Sequence, residues 1–129
     1  MEREILFRGF DNVENEWVYG DLIHLSNGYA IRKLEDDIMT FTRVDRNSIG
    51  QYTGVKDSNG NKMFEGDIIK VKYFNVPDWK DEYENGVIEY SKDIFIILTK
   101  NFEHNLIGTR ENETRSIIGN VFENPELIK

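Results

Sequence analysis

A cluster of oxygen-bearing side chains between residues 57 and 65 is the first feature of the sequence that could do chemistry. Asp57, Asn59, Asn61 and Glu65 carry the oxygen types that bind calcium. A calcium loop of the EF-hand type needs glycine at its sixth position and glutamate at its twelfth. Counted from Asp57, the glycine comes fourth and the twelfth residue is an isoleucine. The spacing therefore predicts a tight turn rather than a calcium site.

The two histidines, His24 and His104, are the next candidates, because imidazole can act as a base or bind a metal. They lie eighty positions apart, and Asp21 precedes His24 closely enough to suggest an Asp–His pair. A metal site would need both histidines and a carboxylate to meet, and a hydrolase would need a serine and an orienting acid. Nothing in the spacing predicts either meeting. We therefore predict no metal site and no catalytic residue.

Paired acids and repeated glycines are also present, but their contexts do not favour catalysis. Acids at residues 36–37 and 81–82 lie in polar segments, where adjacent carboxylates are ordinarily solvated. Acid–base catalysis instead needs two carboxyl groups at a fixed separation with different pKa values. The four glycines between residues 50 and 66 suit turns, because no strand–GxxxxGK–helix unit surrounds them. The sequence therefore predicts no cofactor.

Length and charge restrict the classes of protein further. A chain of 129 residues fits one domain, and its formal net charge is −8. Phosphate binding needs lysine and arginine gathered on one face, but here the basic residues are spread along the chain beside acids. General nucleic-acid binding is therefore disfavoured. With no cysteine, no signal-peptide pattern and no apolar run long enough for a membrane, we expect a cytoplasmic protein.

The elements that must position these residues are strands. Short apolar clusters alternate with glycine, asparagine and aspartate from residue 5 to residue 42, which is typical of an antiparallel sheet with tight turns. Residues 94–98 are apolar without alternation, which predicts a central strand covered on both faces. Asn124-Pro125 predicts at most one helical turn near residue 125. The pattern favours a small barrel of antiparallel strands.

The strongest turn signal in the sequence is Asn59-Gly60. Asn-Gly between apolar residues favours a type I′ hairpin turn, which needs φ > 0 at both central positions. This register would place Asp57 opposite Lys62 as an ion pair and Val55 opposite Phe64 as an apolar pair. Gly66 is predicted to form the next turn. We therefore assign structural turn roles to Asn59, Gly60 and Gly66.

Several segments, taken in order, resemble the YopX family of phage and prophage proteins. They are Ile5-Leu6-Phe7-Arg8-Gly9, Trp17-Val18-Tyr19-Gly20, Gln51-Tyr52-Thr53-Gly54, the turn of residues 57–60, residues 64–71, Gly86-Val87-Ile88-Glu89-Tyr90 and residues 118–127. The resemblance implies a phage or prophage gene product with a core similar to an SH3-type barrel. It implies no catalytic or ligand-binding residue. Residues 31–47 and 73–85 depart from the recurring motifs.

These observations lead to one predicted organisation. We expect a single domain over residues 1–129 that is mainly β, with an N-terminal β segment (about 1–47) packed on the barrel core (about 48–129). The leading hypothesis for function is a non-catalytic accessory protein that binds another protein or itself, with a homo-oligomer as one form. A nucleic-acid-associated regulator is the alternative, and a small hydrolase is the second alternative.

The predicted partner surface lies between residues 73 and 90, around the long irregular segment from about residue 75 to residue 85. Phe74, Trp79 and Tyr83 supply aromatic rings there, with acids around them. Aromatic residues inside a charged rim are enriched at binding hot spots, and long loops in compact domains are often functional. The alternative interpretation is that Trp79 folds back onto the barrel core.

Overall fold

The computed structural model describes residues 3–72, 77, 82–100, 102–106 and 114–128, and these are mainly β-strand. The described strands are β1 (Phe7–Asp11), β2 (Glu16–Leu25), β3 (Gly28–Glu35), β4 (Ile38–Val44), β5 (Gly50–Lys56), β6 (Lys62–Phe64), β7 (Asp67–Lys72), β8 (Tyr83–Ser91), β9 (Ile94–Leu98), β10 (Glu103–Asn105) and β11 (Ser116–Asn120). Two 3₁₀ helices, Arg46–Ser48 and Pro125–Ile128, are the helical segments of this part of the chain. The mainly β prediction is confirmed, and the second 3₁₀ helix is the single turn expected near residue 125.

The chain divides into two compact units, Met1–Gly54 and Val55–Lys129. Strand β5 crosses the border between them, and its last residues belong to the second unit. The boundary predicted near residue 47 falls in the first 3₁₀ helix, a few residues before this border. Packing of the N-terminal segment on the remainder as one domain stays a prediction.

In the first unit β1 to β4 form an antiparallel meander and β5 pairs with the other side of β1, which gives the order β4-β3-β2-β1-β5. Strands β3 and β4 are joined by Asp36 and Asp37, whose φ angles are 50° and 62°. Positive φ at both residues of a two-residue loop is the type I′ geometry, and aspartate tolerates that region better than most residues. The solvated acid pair at residues 36–37 therefore forms a hairpin turn that fixes the register of β4 on β3.

The end of β4 returns to β1, and a glycine makes the approach possible. A Cβ atom added at Gly9 would lie 2.6 Å from Cβ of Val44. The Asp45 N–H donates to the Phe10 carbonyl at 2.9 Å, and the Phe10 N–H donates to Ser48 Oγ at 2.7 Å. These contacts hold the C-terminal end of β4 close to β1.

The second unit contains an antiparallel sheet with the order β10-β9-β8-β7-β11. Its core cluster consists of Met63, Ile69, Val71, Ile88, Ile97 and Leu106. As predicted, β9 is an interior strand, with β8 and β10 on its two sides. Both faces are covered only at its centre, because Ile96 and Ile97 are buried while Ile94 and Leu98 are exposed.

The SH3-type barrel is not confirmed. In the second unit β10 and β11 end the order of the described strands, so that sheet is open. In the first unit β4 likewise ends its order. Apolar alternation and turn residues indicate where strands lie, but closure depends on which strand edges meet, and those pairings are long-range.

The hairpin predicted at Asn59-Gly60 is present between β5 and β6, but the predicted type I′ turn is wrong. Gly60 has φ +82°, whereas Asn59 is absent from the positive-φ residues. The Asp57 N–H donates to the Asn61 carbonyl at 2.8 Å, and the Gly60 N–H donates to the Asp57 carbonyl at 3.0 Å. This is a three-residue loop with glycine in the left-handed position. It pairs Asp57 with Asn61 rather than with Lys62.

The reason for the longer loop is the buried carboxylate of Asp57. Asp57 Oδ1 accepts the N–H groups of Asn59 at 3.0 Å and Asn61 at 2.9 Å, which encloses the loop around the acid. Asp57 Oδ2 accepts the N–H of Ile117 in β11 at 3.0 Å. The side chain thus bonds backbone groups instead of forming the predicted cross-strand ion pair.

Removing the Asp57 carboxylate should be costly. We expect Asp57→Ala to lower the free energy of unfolding by about 3 kcal/mol, because three N–H groups lose their acceptor at about 1 kcal/mol each. The measurement is urea denaturation followed by circular dichroism. Asp21→Ala is the matched control, because Asp21 forms an exposed ion pair with Arg32 and should cost less than about 1 kcal/mol. Equal losses in the two variants would contradict the structural role of Asp57.

Gly60 gives a second prediction for stability. Gly60→Val should destabilise the fold by roughly 1–2 kcal/mol, because a β-branched residue at φ +82° is strained. Among the described residues other than its two chain neighbours, no heavy atom lies within 4 Å of the added Cβ, so the cost comes from the backbone conformation. Gly60→Asn is the control and should cost less, because asparagine tolerates the left-handed region. Identical urea midpoints for the wild-type chain and the valine variant would rule out this backbone conformation.

Candidate partner-binding surface

Large apolar side chains are exposed together on the hairpin of β3 and β4. Leu34, Met39 and Phe41 have 63%, 48% and 61% of their surface exposed. Ile38, the first residue of β4, is also exposed. Isolated exposed apolar residues are normal, but contiguous ones mark interaction sites. We call Leu34, Met39 and Phe41 the hairpin patch.

The strand register places the three side chains of the hairpin patch on one face. Leu34 lies opposite Met39, and Arg32 lies opposite Phe41. Directly opposed residues of an antiparallel pair point to the same side of the sheet, and so do residues two positions apart on one strand. Leu34, Met39 and Phe41 are therefore neighbours on the same side, while Ile38 points to the other side with Glu35.

Charged groups surround the hairpin patch. The Arg32 guanidinium donates to Asp21 Oδ2 from Nη2 at 2.8 Å and from Nε at 3.2 Å, on the same face as Phe41. Arg43 lies two residues beyond Phe41 and donates from Nη2 to Asn27 Oδ1 at 3.0 Å. The Asp36-Asp37 turn forms the opposite end. An apolar centre with a charged rim is the usual anatomy of a protein interface.

The partner surface predicted from the sequence is only partly described. Phe74 and Trp79 lie outside the described residues. Tyr83 opens β8, is half-buried, and has the Lys70 ammonium 4.4 Å from the centre of its ring. The functional role given to these three residues stays a prediction.

The three predicted turn residues lie close to two buried acids. Asn59 and Gly60 belong to the loop around Asp57. Gly66 has φ +92°, and its N–H and carbonyl bond Ile88 and Val121, each at 2.9 Å. Asp67, which follows it, accepts the Phe64 N–H at 2.7 Å.

The two histidines belong to different units, and each has its own neighbours. His24, exposed on β2, stacks on Tyr29 with ring centres 4.8 Å apart and an interplanar angle of 10°. The suggested Asp21–His24 pair is not the arrangement found, because Asp21 bonds Arg32. Sequence spacing favoured Asp21 for its proximity in the chain, whereas the sheet places Asp21 and His24 on opposite faces.

His104 lies in a polar group of the second unit. Its Nε2 is 3.8 Å from Glu84 Oε1, which is too long for a hydrogen bond but close enough for electrostatic interaction. Arg115 is buried nearby and donates from Nη1 to the Asn105 carbonyl at 2.8 Å. Burial lowers the pKa of His104, the Arg115 charge adds to this, and Glu84 opposes it. His104 is therefore held neutral at neutral pH.

Two further observations concern the described residues only. They contain no group of three or more histidine, aspartate and glutamate side chains arranged to hold a metal ion. They also contain no helix long and apolar enough to cross a membrane.

The lowered pKa of His104 predicts a pH dependence. Between the usual histidine pKa near 6.5 and the lower folded value, the unfolded chain binds a proton that the folded chain does not. The contribution of neutral His104 to the free energy of unfolding is therefore fully present above that pH range, and it is lost as the pH falls through the range. We expect urea melts at about pH 7.5 and about pH 5.5 to show this loss, and His104→Gln to reduce it. His24→Gln is the control, and an equal reduction in both variants would contradict the assignment.

The hairpin patch was missed in the sequence. The alternation of Met39, Thr40, Phe41 and Thr42 predicts a strand, but it does not show whether the apolar side of that strand is covered. The short acidic turn indicates that β3 and β4 form a hairpin. In the described sheet β3 is the only strand that pairs with β4. An apolar edge strand is unusual, because sheet edges are commonly protected by charges or proline.

Comparison with known proteins identifies the family of this chain and two similar structures. The family model described as YopX protein matches residues 6–129. The crystal structure of protein EF1440 from Enterococcus faecalis is similar, with 23% identity, coverage of 99% of this chain and 100% of that chain, and a TM-score of 0.59. The X-ray structure of protein yopX from Bacillus subtilis is 25% identical over 96% of this chain and 98% of that one, with a TM-score of 0.61. No curated protein matches the chain. Because the family model spans nearly the whole sequence, the chain belongs to the YopX family, as its motifs predict.

Proposed function

We propose that this chain is a phage or prophage accessory protein that acts without catalysis, by binding protein through the hairpin patch in the cytoplasm of a bacterial host. The phage origin is an expectation from the family resemblance. The protein-binding role is supported by the exposure of Leu34, Met39 and Phe41 side by side on one face of an edge hairpin.

The physical reason is the cost of exposed apolar surface. Each fully buried large apolar side chain contributes about 1.5–3 kcal/mol relative to its exposed form, so covering three of them can drive association. The type I′ turn and the β3–β4 register hold the strands in one arrangement. A preorganised surface loses little conformational entropy on binding.

A second candidate function, a nucleic-acid-associated regulator, is supported by one local feature of the first unit. The exposed His24 ring stacks on Tyr29, and the Arg46 guanidinium lies 5.5 Å from the centre of the Tyr29 ring. Stacked rings beside arginine form the type of platform on which single-stranded bases stack. The net charge of −8 opposes such binding, so we rank it second.

Substitution of the hairpin patch tests the leading proposal. Phe41→Lys should abolish specific association with protein, whether with another protein of the phage-carrying cell or with a second copy, because it places a charge at the centre of the patch. The thermal midpoint should change little, because Phe41 is exposed. Association is measured by affinity capture from cells that carry the phage, followed by titration with each purified protein captured.

Ile94→Lys is the matched control, because Ile94 is 43% exposed and directly follows the two-residue turn of β8 and β9. It should retain association. If every association survives Phe41→Lys, the hairpin patch is not the binding surface. Binding of single-stranded DNA that weakens steeply with added salt and is lost in His24→Ala would favour the second candidate.

A further inference from the structure

We propose that a second copy of this chain binds at the edge of the hairpin patch, by antiparallel pairing of the two β4 strands about a two-fold axis at Thr40. The inference rests on the proposed function, because it uses the same surface and names its partner. It adds a register, a symmetry and specific contacts between charged residues.

Strand β4 has an edge available for pairing. It bonds β3 on one side, and no described strand pairs with its other side from Ile38 to Val44; just beyond, the Asp45 N–H bonds the Phe10 carbonyl of β1. Its seven residues include only one charged side chain, Arg43, and no proline. Charges, proline and bulges are the devices that prevent edge-to-edge pairing. Ile38 to Phe41 lack them, so this edge is open to another strand.

Symmetry and backbone geometry restrict the register. In an antiparallel pair, opposed residues must both direct their backbone groups toward the partner or both direct them away. A two-fold axis must therefore pass beside a residue that lies opposite the same residue of the second copy. Each residue before the axis then lies opposite the residue that is equally far after it in the second copy. With Thr40 at the axis, Met39 lies opposite Phe41 of the second copy, Ile38 opposite Thr42, and Asp37 opposite Arg43.

The neighbouring registers are less favourable. An axis at Phe41 would oppose Met39 to Arg43, and an axis at Met39 would oppose Phe41 to Asp37. Each places a large apolar side chain against a charge. Of these three registers, only the one with its axis at Thr40 places apolar residues opposite apolar residues and also an acid opposite a base. Cross-strand pairs of both types are stabilising.

The Thr40 register also joins the two hairpin patches. Opposed residues share a face, so Leu34, Met39 and Phe41 of one copy continue into the same three residues of the other. Arg43 donates to Asn27 through one nitrogen, and its guanidinium has further donors for Asp37. Asp36 lies beside Asp37 and increases the negative charge that Arg43 meets.

The contact is small, which predicts its strength. A seven-residue strand is about 23 Å long, and an interface of this length belongs to the small, transient class. We therefore expect reversible dimerisation in the micromolar range. Sedimentation of the full chain from low micromolar to near-millimolar concentration should show a monomer–dimer equilibrium.

Charge exchange tests the register. Asp37→Arg places two arginines against each other, and Arg43→Asp places two aspartates together, so each variant alone should dimerise about tenfold more weakly. An equimolar mixture should recover the affinity, because both contacts in the heterodimer then join opposite charges. Thermal melts establish that each variant is folded. Phe41→Lys, which leaves the turn unchanged, should be monomeric, and Ile94→Lys should dimerise as the wild-type chain does.

Several outcomes would overturn the inference. One is a wild-type chain that stays monomeric at all concentrations, and another is a mixture that associates no better than either single variant. If the wild-type chain is monomeric while Phe41→Lys loses a different protein partner, the second copy is the wrong occupant and the proposed function stands. If Phe41→Lys changes neither dimerisation nor partner binding, both proposals fail.

Discussion

The carboxylate of Asp57 is the constraint on which the second unit depends. It is 6% exposed and accepts three backbone N–H groups, two from its own loop and one from Ile117 in β11. The Ser58 N–H donates to the Arg115 carbonyl at 2.8 Å beside it. Residues 57–58 thus bond alternate residues of the β11 segment, as a neighbouring strand would. A buried charge with this many donors is well satisfied and fixes where β11 lies.

Strands β11 and β4, each at one end of its sheet, differ in how their edges are protected. Strand β11 ends its sheet, but the Asp57 loop bonds its backbone at Arg115 and Ile117, and a bulge between Ile117 and Gly119 interrupts its pairing with β7. These are devices that protect an edge. Strand β4 ends the sheet of the first unit with large exposed apolar side chains. This contrast within one chain is why β4 is the better candidate for contact with a partner.

Strand positions and the general class of fold were predictable, because alternation and turn residues are local signals. Turn types were less predictable. Asn59-Gly60 has the strongest type I′ composition, yet the side chain of Asp57 organises a three-residue loop there. The type I′ turns instead lie at Asp36-Asp37 and Lys92-Asp93, where two-residue loops force positive φ on residues other than glycine. The hairpin patch was not predictable from alternation, which shows that residues share a face but not whether that face is covered.

The bond between Asp57 and Ile117 also bears on the order of folding. The two residues are 60 positions apart, whereas the pairings among β1 to β4 join strands that are consecutive in the chain. Closing a long loop costs entropy before its contacts form, so local hairpins assemble first. During synthesis the meander can form while β7 still lacks β11. In that interval β7 is a further unpaired edge and the Asp57 carboxylate is without one of its donors, so the nascent chain is most exposed to mispairing until residue 117 has emerged.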